Sequence, residues 1–201
     1  MSAPIKFFTL LLTALLLAGC QQQDAPPVPS HAVDVTWRYA DADFRLTDSR
    51  GQPRRLADFR GKVTVLFFGY THCPEVCPTT LADLAQVMRA LGKDADRVQV
   101  LFVTLDPERD TPALLEKFVP AFDSRFLGLS GSASATAEAA QAFGVNYQKQ
   151  PGSHGNYTLD HSDGTYLIGT TGKPVLLSRY GQATNWLVED IRLLLTLGGT
   201  P

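Results

Sequence analysis

Two cysteines lie four positions apart in the stretch GYTHCPEVCP, residues 69–78. Cys73 and Cys77 are each followed by a proline. Such a pair can form a structural disulfide, act as a thiol-redox pair, or supply two thiolate ligands to a metal ion. A thioredoxin-type redox motif has two residues between its cysteines, whereas three lie between these. The longer loop can close a disulfide and can also hold two sulfurs around a soft ion, so the spacing leaves all three possibilities open.

The prolines indicate where the pair lies in the fold. Pro78 disfavours a helical conformation at the residue before it and suits the first position of a helix. This predicts Cys77 as the N-cap of a helix and Cys73 in the loop that precedes it. A helix N-terminus favours thiolates over thiols, and the thiolate is the form that attacks disulfides and binds metals.

Two thiolates are an incomplete ligand set for most metals, so a third ligand is sought among the four histidines. Thiolates favour copper(I) or zinc, and imidazole suits both copper and zinc. His31 is predicted to be solvated in a tether, His72 to point away from the adjacent cysteine, and His154 to lie in a glycine-rich loop. His161 ends a predicted strand beside a turn, where spacing alone favours a structural or surface role.

The composition argues against two classes of site. The net charge is −2 and the usual basic cluster is missing, so nucleic acid is not expected as a partner. Apart from Met1 the chain has one methionine, Met88, on a predicted core helix. This excludes a methionine-rich copper(I) site.

Hydrophobic patterning places the cysteines between a strand and a helix. Residues 62–68 and 98–105 are apolar runs typical of buried strands, and residues 79–91 have helical spacing. The other predicted elements are a strand at 44–46, a helix that begins at Asp110 or Thr111, a strand at 126–129, a helix at 134–143, strands at 157–160, 165–169 and 175–180, and a helix at 185–197. This order predicts an α/β domain of the thioredoxin-like type. Its central sheet is flanked by helices, with an additional N-terminal strand and a C-terminal hairpin.

The N-terminus is typical of a bacterial lipoprotein. Lys6 precedes an apolar run at residues 7–17, which is too short for a membrane span, and Leu-Ala-Gly precedes Cys20. This predicts a signal peptide at 1–19, a lipid on Cys20 with a flexible tether at 20–35, and a folded domain at 36–201. The expected location is the bacterial cell envelope, with the domain anchored by lipid in the periplasm, where disulfides persist.

Three motifs together resemble the SCO/SenC family of copper-binding cytochrome c oxidase assembly proteins. They are GYTHCPEVCP, then LDPERDTP at residues 105–112, then Asp160-His161-Ser162. The resemblance implies a thioredoxin-like fold and one copper ion per domain, with Cys73, Cys77 and His161 as ligands. It also implies a part in building the binuclear copper centre of the oxidase, whose copper-bearing subunit is then the expected partner.

Neighbouring acidic residues have simpler interpretations. Asp160 either orients His161 as an outer-shell group or points away from it. Asp106 is expected to end a strand, and Asp110 to cap a helix.

The leading hypothesis is a membrane-tethered copper metallochaperone whose loading depends on reduced Cys73 and Cys77. The alternative is a thiol-disulfide reductase that acts on the cysteines of the oxidase copper site and does not need His161. A peroxide-reducing enzyme is a weaker interpretation because the motif differs from the peroxiredoxin pattern. A purely structural disulfide is disfavoured because closing so short a loop gives little entropic stabilisation.

Overall fold

The central sheet has eight strands among the residues that the structure describes. The computed structural model describes residues 30–152 and 156–198. The strands of this sheet follow the spatial order β1-β10-β9-β4-β5-β6-β2-β3. In chain order they are β1 (Val33–Asp34), β2 (Leu46–Asp48), β3 (Pro53–Arg54), β4 (Val63–Gly69), β5 (Val98–Thr104), β6 (Leu127–Ser130), β9 (Thr165–Ile168) and β10 (Pro174–Ser178).

Within the described part of the chain, four α-helices accompany the sheet. They are α1 (Val76–Leu91), α2 (Pro112–Phe118), α3 (Ala133–Ala142) and α4 (Thr184–Leu197). Helices α1 and α4 pack against each other, and each buries an apolar stripe at helical spacing. Among the described residues, none of the helices combines the length and apolar character that a membrane span requires.

The centre of the sheet explains the apolar runs in the sequence. All seven residues of β4 are buried, as are six of the seven in β5. The two strands pair in parallel, from Val63 opposite Val98 to Gly69 opposite Thr104. Strands covered on both faces have continuous apolar sequences instead of alternating ones. The predicted thioredoxin-like α/β arrangement is confirmed.

A second, two-stranded sheet lies outside the central one. Strand β7 (Tyr147–Pro151) pairs antiparallel with β8 (Tyr157–His161), with Tyr147 opposite His161. The sequence predicts β8 but not β7, because YQKQP has neither an apolar run nor an alternating pattern. Its partner strand supplies the pairing that its own sequence does not indicate.

The N-terminal part of the domain also differs from the prediction. The strand expected at 44–46 lies at Leu46–Asp48. Strand β1 lies within residues 30–35, which the sequence assigns to the tether. This short strand is stabilised by backbone pairing with β10, in which Val33 lies opposite Leu177.

Three segments meet at one edge of the central sheet. The carboxyl ends of β4 and β5 lie side by side because the strands are parallel. Strand β9 runs antiparallel to β4, with Thr165 opposite Phe67, so the chain arriving from β8 reaches the same edge. This edge holds the cysteine loop, the LDPERDTP segment and the end of β8.

Candidate metal centre

Helix α1 begins one residue before Cys77. Its N-cap is Glu75, and Cys77 and Pro78 are the second and third helical residues. The predicted N-cap position of Cys77 is therefore wrong. The first helical bond, from Thr79 N–H to the Glu75 carbonyl, encloses Cys77 in the first turn. Proline is tolerated in this turn because the first N–H groups of a helix have no intrahelical partner.

The sulfur of Cys73 takes the place of a capping side chain. It accepts a hydrogen bond from the Cys77 N–H at 3.4 Å, while the side chain of the N-cap residue makes no capping bond. The hydrogen bond thus connects the first turn of α1 directly to the Cys73 sulfur. The prediction that Cys73 lies in the loop before the helix is confirmed.

Gly69 makes room for the second sulfur. Cys77 is fully buried. A Cβ atom at Gly69 would lie 2.8 Å from the Cys77 Sγ and 3.0 Å from ring carbons of Phe67 and Phe102. Glycine at the end of β4 therefore sets the depth at which the thiol sits.

The two sulfurs meet an imidazole that lies far along the chain. The side-chain donor atoms of Cys73, Cys77 and His161 all lie within 4.8 Å of one another. The Cys77 Sγ is 3.7 Å from Nε2 of His161. The fold therefore brings together the three residues that the sequence resemblance singles out, and they could hold a metal ion.

A backbone carbonyl orients His161. The Nδ1 atom lies 2.7 Å from the Ser162 carbonyl oxygen, which can only accept, so Nδ1 donates and the Nε2 lone pair faces the sulfurs. The rings of Phe67 and Tyr70 pack against the imidazole ring in edge-to-face arrangements, with interplanar angles of 65° and 84°. The ring is held in an orientation suited to ligation.

The alternative in which Asp160 orients His161 is wrong. The Asp160 carboxylate is exposed and accepts a hydrogen bond from the Gln150 amide at 2.8 Å, across the β7–β8 pair. Successive residues of a strand point to opposite faces, which separates this carboxylate from the His161 ring. The Ser162 carbonyl performs the predicted outer-shell role instead.

Burial dominates the ionisation of Cys77. It raises the pKa of this thiol well above its ordinary value, although a backbone hydrogen bond from Tyr70 acts in the opposite direction. At Cys77, burial thus opposes the thiolate that the helix N-terminus is predicted to favour. The cost of desolvating a charged sulfur exceeds the stabilisation from the helix terminus.

The other candidate residues that the structure describes are not part of this donor group. His72 is half-exposed, and its Nδ1 lies 3.0 Å from the Thr71 hydroxyl. His31 stacks on the Trp186 ring, which replaces the predicted solvated position. Met88 is buried in α1 as predicted. His154 and the predicted lipidation residue Cys20 lie outside the described residues.

Asp110 ties the cysteine loop to the core. It is fully buried, and its Oδ2 accepts hydrogen bonds from the Thr71 N–H at 3.0 Å and the Thr104 hydroxyl at 2.6 Å. Its Oδ1 accepts from the Thr71 hydroxyl. The cap of α2 is Thr111, which accepts from Leu114 N–H. The sequence offered Asp110 as a helix cap and missed this anchoring role.

Arg109 joins the LDPERDTP segment to the strand that carries His161. Its Nε contacts the Asp106 carboxylate, and its Nη1 donates to the Tyr157 carbonyl at 2.9 Å. The guanidinium lies 3.6 Å from the centre of the Tyr157 ring, whose hydroxyl donates to Asp106 at 2.7 Å. We refer to Asp106, Arg109 and Tyr157 as the hairpin latch. The LDPERDTP motif marks this segment in the sequence, but only the structure shows that the segment contacts the strand that carries His161.

A cavity of about 500 Å³ opens beside the sulfurs and imidazole. It is lined by Tyr70, Cys73, Pro74, Glu75, Val76, Thr158, Leu159, Asp160, His161 and Asp163. Cys73 is partly exposed, whereas Cys77 is not. Two sulfurs and one imidazole nitrogen form a donor set suited to copper(I) or zinc, and the cavity gives a partner access to it.

Comparison with known proteins identifies relatives of this arrangement. The family model described as SCO1/SenC matches residues 37–196. The mitochondrial SCO2 homolog of Mus musculus is 37% identical over 203 aligned residues, which cover 91% of this chain and 76% of the mouse protein.

Solved structures agree with this match. Copper-bound ScoI of Bradyrhizobium japonicum is 39% identical with a TM-score of 0.70, covering 75% of this chain and 96% of that one. Apo Sco1 of Thermus thermophilus is 47% identical with a TM-score of 0.70, covering 77% of this chain and 91% of that one. The fold, the three-residue donor set and the extent of the family match lead to one conclusion: this chain belongs to the SCO1/SenC family.

Proposed function

We propose that this protein binds one copper ion through Cys73, Cys77 and His161 and delivers it during assembly of the copper centre of cytochrome c oxidase. The observation that carries the proposal is the convergence of these three donor atoms within 4.8 Å. The copper bound to a bacterial relative with the same fold supports copper as the cargo. Membership of a family of oxidase assembly proteins supports the copper-bearing subunit of the oxidase as the partner.

The geometry suggests how the ion is held and released. Cys77 forms the inner part of the site, since its thiol is buried, and the Ser162 carbonyl fixes the His161 ring beside it. Cys73 is partly exposed and borders the cavity. Copper bound here would face the cavity beside Cys73, where thiolates of a docking partner could replace the ligands one at a time. Exchange with a disulfide of a partner, which is reduced to a dithiol, would oxidise the two thiols to a disulfide and remove two of the three ligands.

Copper titration of the full chain under reducing conditions tests the ligand set. Cys73→Ala, Cys77→Ala and His161→Ala should each weaken binding, because a two-ligand site is incomplete. His72→Ala is the matched control, because this histidine adjoins Cys73 but lies apart from the donor group. Unchanged affinity in His161→Ala would show that the imidazole is not a ligand.

The exposed position of Cys73 also favours a second candidate function, thiol-disulfide reductase. Its thiolate would attack a disulfide of the oxidase copper site to form a mixed disulfide. Cys77 would then release the partner as a dithiol and leave a Cys73–Cys77 disulfide. This exchange requires no imidazole. A His161→Ala variant that loses copper but keeps full disulfide-exchange activity would separate the two functions.

We also propose that a lipid on Cys20 anchors the protein in the cell envelope, with the domain in the periplasm. The support is the sequence alone, with an apolar run followed by Leu-Ala-Gly-Cys. Incorporation of radiolabelled fatty acid in wild type but not in Cys20→Ser tests the anchor. Equal labelling of both proteins would rule out Cys20 as the modified residue.

A further inference from the structure

The chain enters the folded domain at one fixed place. The buried Asp190 accepts hydrogen bonds from the backbone N–H groups of His31 at 2.9 Å and Ala32 at 3.0 Å. The His31 ring stacks on Trp186, with centroids 5.0 Å apart and planes 5° from parallel. Its Nε2 lies 2.7 Å from the Glu189 carboxylate. Helix α4 thus holds the start of the domain through backbone hydrogen bonds, ring stacking and a side-chain contact.

This place lies at the same end of the sheet as the metal centre. Strand β10 is antiparallel to β9, which is antiparallel to β4, so β10 and β4 point the same way. Val33 pairs with Leu177, next to the last residue of β10. The incoming chain therefore enters at the same end of the sheet as the carboxyl end of β4, where the cysteine loop begins.

An apolar surface surrounds the incoming chain. Three of the five large hydrophobic side chains that are most exposed in the described residues are here: Val33 (45%), Tyr180 (40%) and Trp186 (45%). Together with exposed Arg179 they border a groove of about 420 Å³. We name these four residues the anchor face. Tryptophan and tyrosine favour the interface between water and lipid, and arginine is attracted to anionic headgroups.

The preceding chain limits how far this face can move from a membrane. Nine residues, 21–29, separate Cys20 from Ser30, so the distance between these two residues is at most about 35 Å when the chain is fully extended. A lipid on Cys20 therefore keeps the anchor face near the bilayer surface. Resting on the proposed anchor, we infer that the anchor face docks on the phospholipid surface and turns the metal-centre end of the domain towards the membrane.

The two tryptophans of the chain allow a direct test. Trp186 belongs to the anchor face. Trp37 is 79% exposed and follows β1 at its opposite end. Trp37→Phe leaves Trp186 as the single reporter, and Trp186→Phe leaves Trp37 while keeping an aromatic ring beside His31. Each lipidated full-length variant is reconstituted into vesicles of phosphatidylethanolamine and phosphatidylglycerol, with or without bromine on the acyl chains.

Docking predicts that brominated lipid quenches the Trp186 emission and leaves the Trp37 emission unchanged. Flotation of the same vesicles reports the anchor separately. Protein that floats with the vesicles but shows equal emission from Trp186 in both lipids overturns the docking and leaves the anchor intact. Equal quenching of both tryptophans also overturns it, because the domain would then have no preferred face. Protein that does not float at all contradicts the anchor, and the docking inference fails with it.

Discussion

The two halves of the metal centre are held by different means. Cys73 and Cys77 lie at the junction of a buried strand and a long helix, and the buried carboxylate of Asp110 fixes their loop. His161 lies on a separate two-stranded sheet, and the hairpin latch is among the contacts that link this sheet to the LDPERDTP segment. The sulfurs thus belong to the main core of the fold. The imidazole comes from a separate sheet, which a small set of contacts joins to that core, among them the bond from the Leu159 N–H to the Tyr70 hydroxyl and the bonds to the buried Asp106. Substitutions around the cysteines should therefore lower both protein stability and copper affinity. Substitutions around His161 should lower mainly copper affinity.

The largest effect is expected from Asp110→Ala. It leaves the Thr71 N–H and the Thr104 hydroxyl without their buried charged acceptor, which should cost about 3 kcal/mol of unfolding free energy. Urea unfolding measures this loss, and copper titration should show weaker binding because the cysteine loop loses its anchor. Asp110→Asn, which keeps one acceptor oxygen, should lose less. Equal stability of wild type and Asp110→Ala would contradict the anchoring role.

Gly69→Ala should rank second. The added Cβ would meet the Cys77 sulfur at 2.8 Å, and such overpacking typically costs about 1–3 kcal/mol. Displacement of a ligand should also lower copper affinity roughly 100-fold. Gly169→Ala is the control, since its added Cβ would meet a Val175 methyl at 3.3 Å and the Lys173 carbonyl oxygen at 3.8 Å, neither of which belongs to a ligand. Equal copper affinity in the two variants would show that Gly69 is not needed to make room for the Cys77 sulfur.

Arg109→Leu tests the other half. Loss of its bonds to Asp106 and the Tyr157 carbonyl should loosen β7 and β8, and copper affinity should fall about tenfold. Hydrogen exchange should quicken at residues 147–161 while β4 and β5 stay protected. Lys149→Gln is a matched control because its exposed ion pair with Glu108 joins the same two segments at the surface. Exchange that quickens equally in both sheets would show that the halves are not independent.

A double-mutant cycle sharpens the Arg109 prediction. If Arg109 acts through the position of His161, then Arg109→Leu should change copper affinity little once His161→Ala is present. Additive losses would instead mean that Arg109 affects the site by another route.

Alkaline pH should loosen the imidazole half by a smaller amount. Burial and then the hydrogen bond to Asp106 raise the pKa of Tyr157. The folded state thus favours the neutral phenol, and this contribution is present below about pH 10 and lost as pH rises through the folded-state pKa. Tyr157→Phe should remove this part of the pH dependence when unfolding is measured across the range. The same alkaline loss in the variant would assign it to other groups.

Asp160→Ala should have the smallest effect. The Asp160 carboxylate is exposed and bonds to Gln150, so stability should change by no more than about 0.5 kcal/mol. Copper affinity should match that of wild type. A loss comparable to that of His161→Ala would restore the discarded outer-shell role.

The sequence predicts the sulfur half of the site well and the imidazole half poorly. Runs of buried residues locate β4 and β5, and the motif between them locates the cysteines. Spacing alone favoured a surface or structural role for His161, because 84 positions separate it from Cys77. The resemblance to a family, and not periodicity, identified it. Its neighbouring strand β7 has a polar sequence that becomes a strand only through pairing.

The remaining differences from the sequence predictions have two physical causes. The N-cap position of Cys77, its thiolate character and the outer-shell role of Asp160 were inferred from sequence neighbours. The local bond from Thr79 to Glu75 decides the N-cap position, whereas the other two depend on the wider fold: the packing that leaves Cys77 without solvent, and the pairing of β8 with β7. Local rules cannot anticipate a desolvation energy that depends on the whole fold.

The hydrogen bond from the Cys77 amide to the Cys73 sulfur has a practical consequence. Its acceptor is an atom that would be a thiol, a copper ligand or half of a disulfide at successive stages of the proposed cycle. The electron density on the Cys73 sulfur differs among these states, so the chemical shift of the Cys77 amide proton should differ as well. The resonance of that one proton in a nuclear magnetic resonance spectrum is therefore an intrinsic label for the state of the protein, readable without a probe, a cofactor analogue or a substitution.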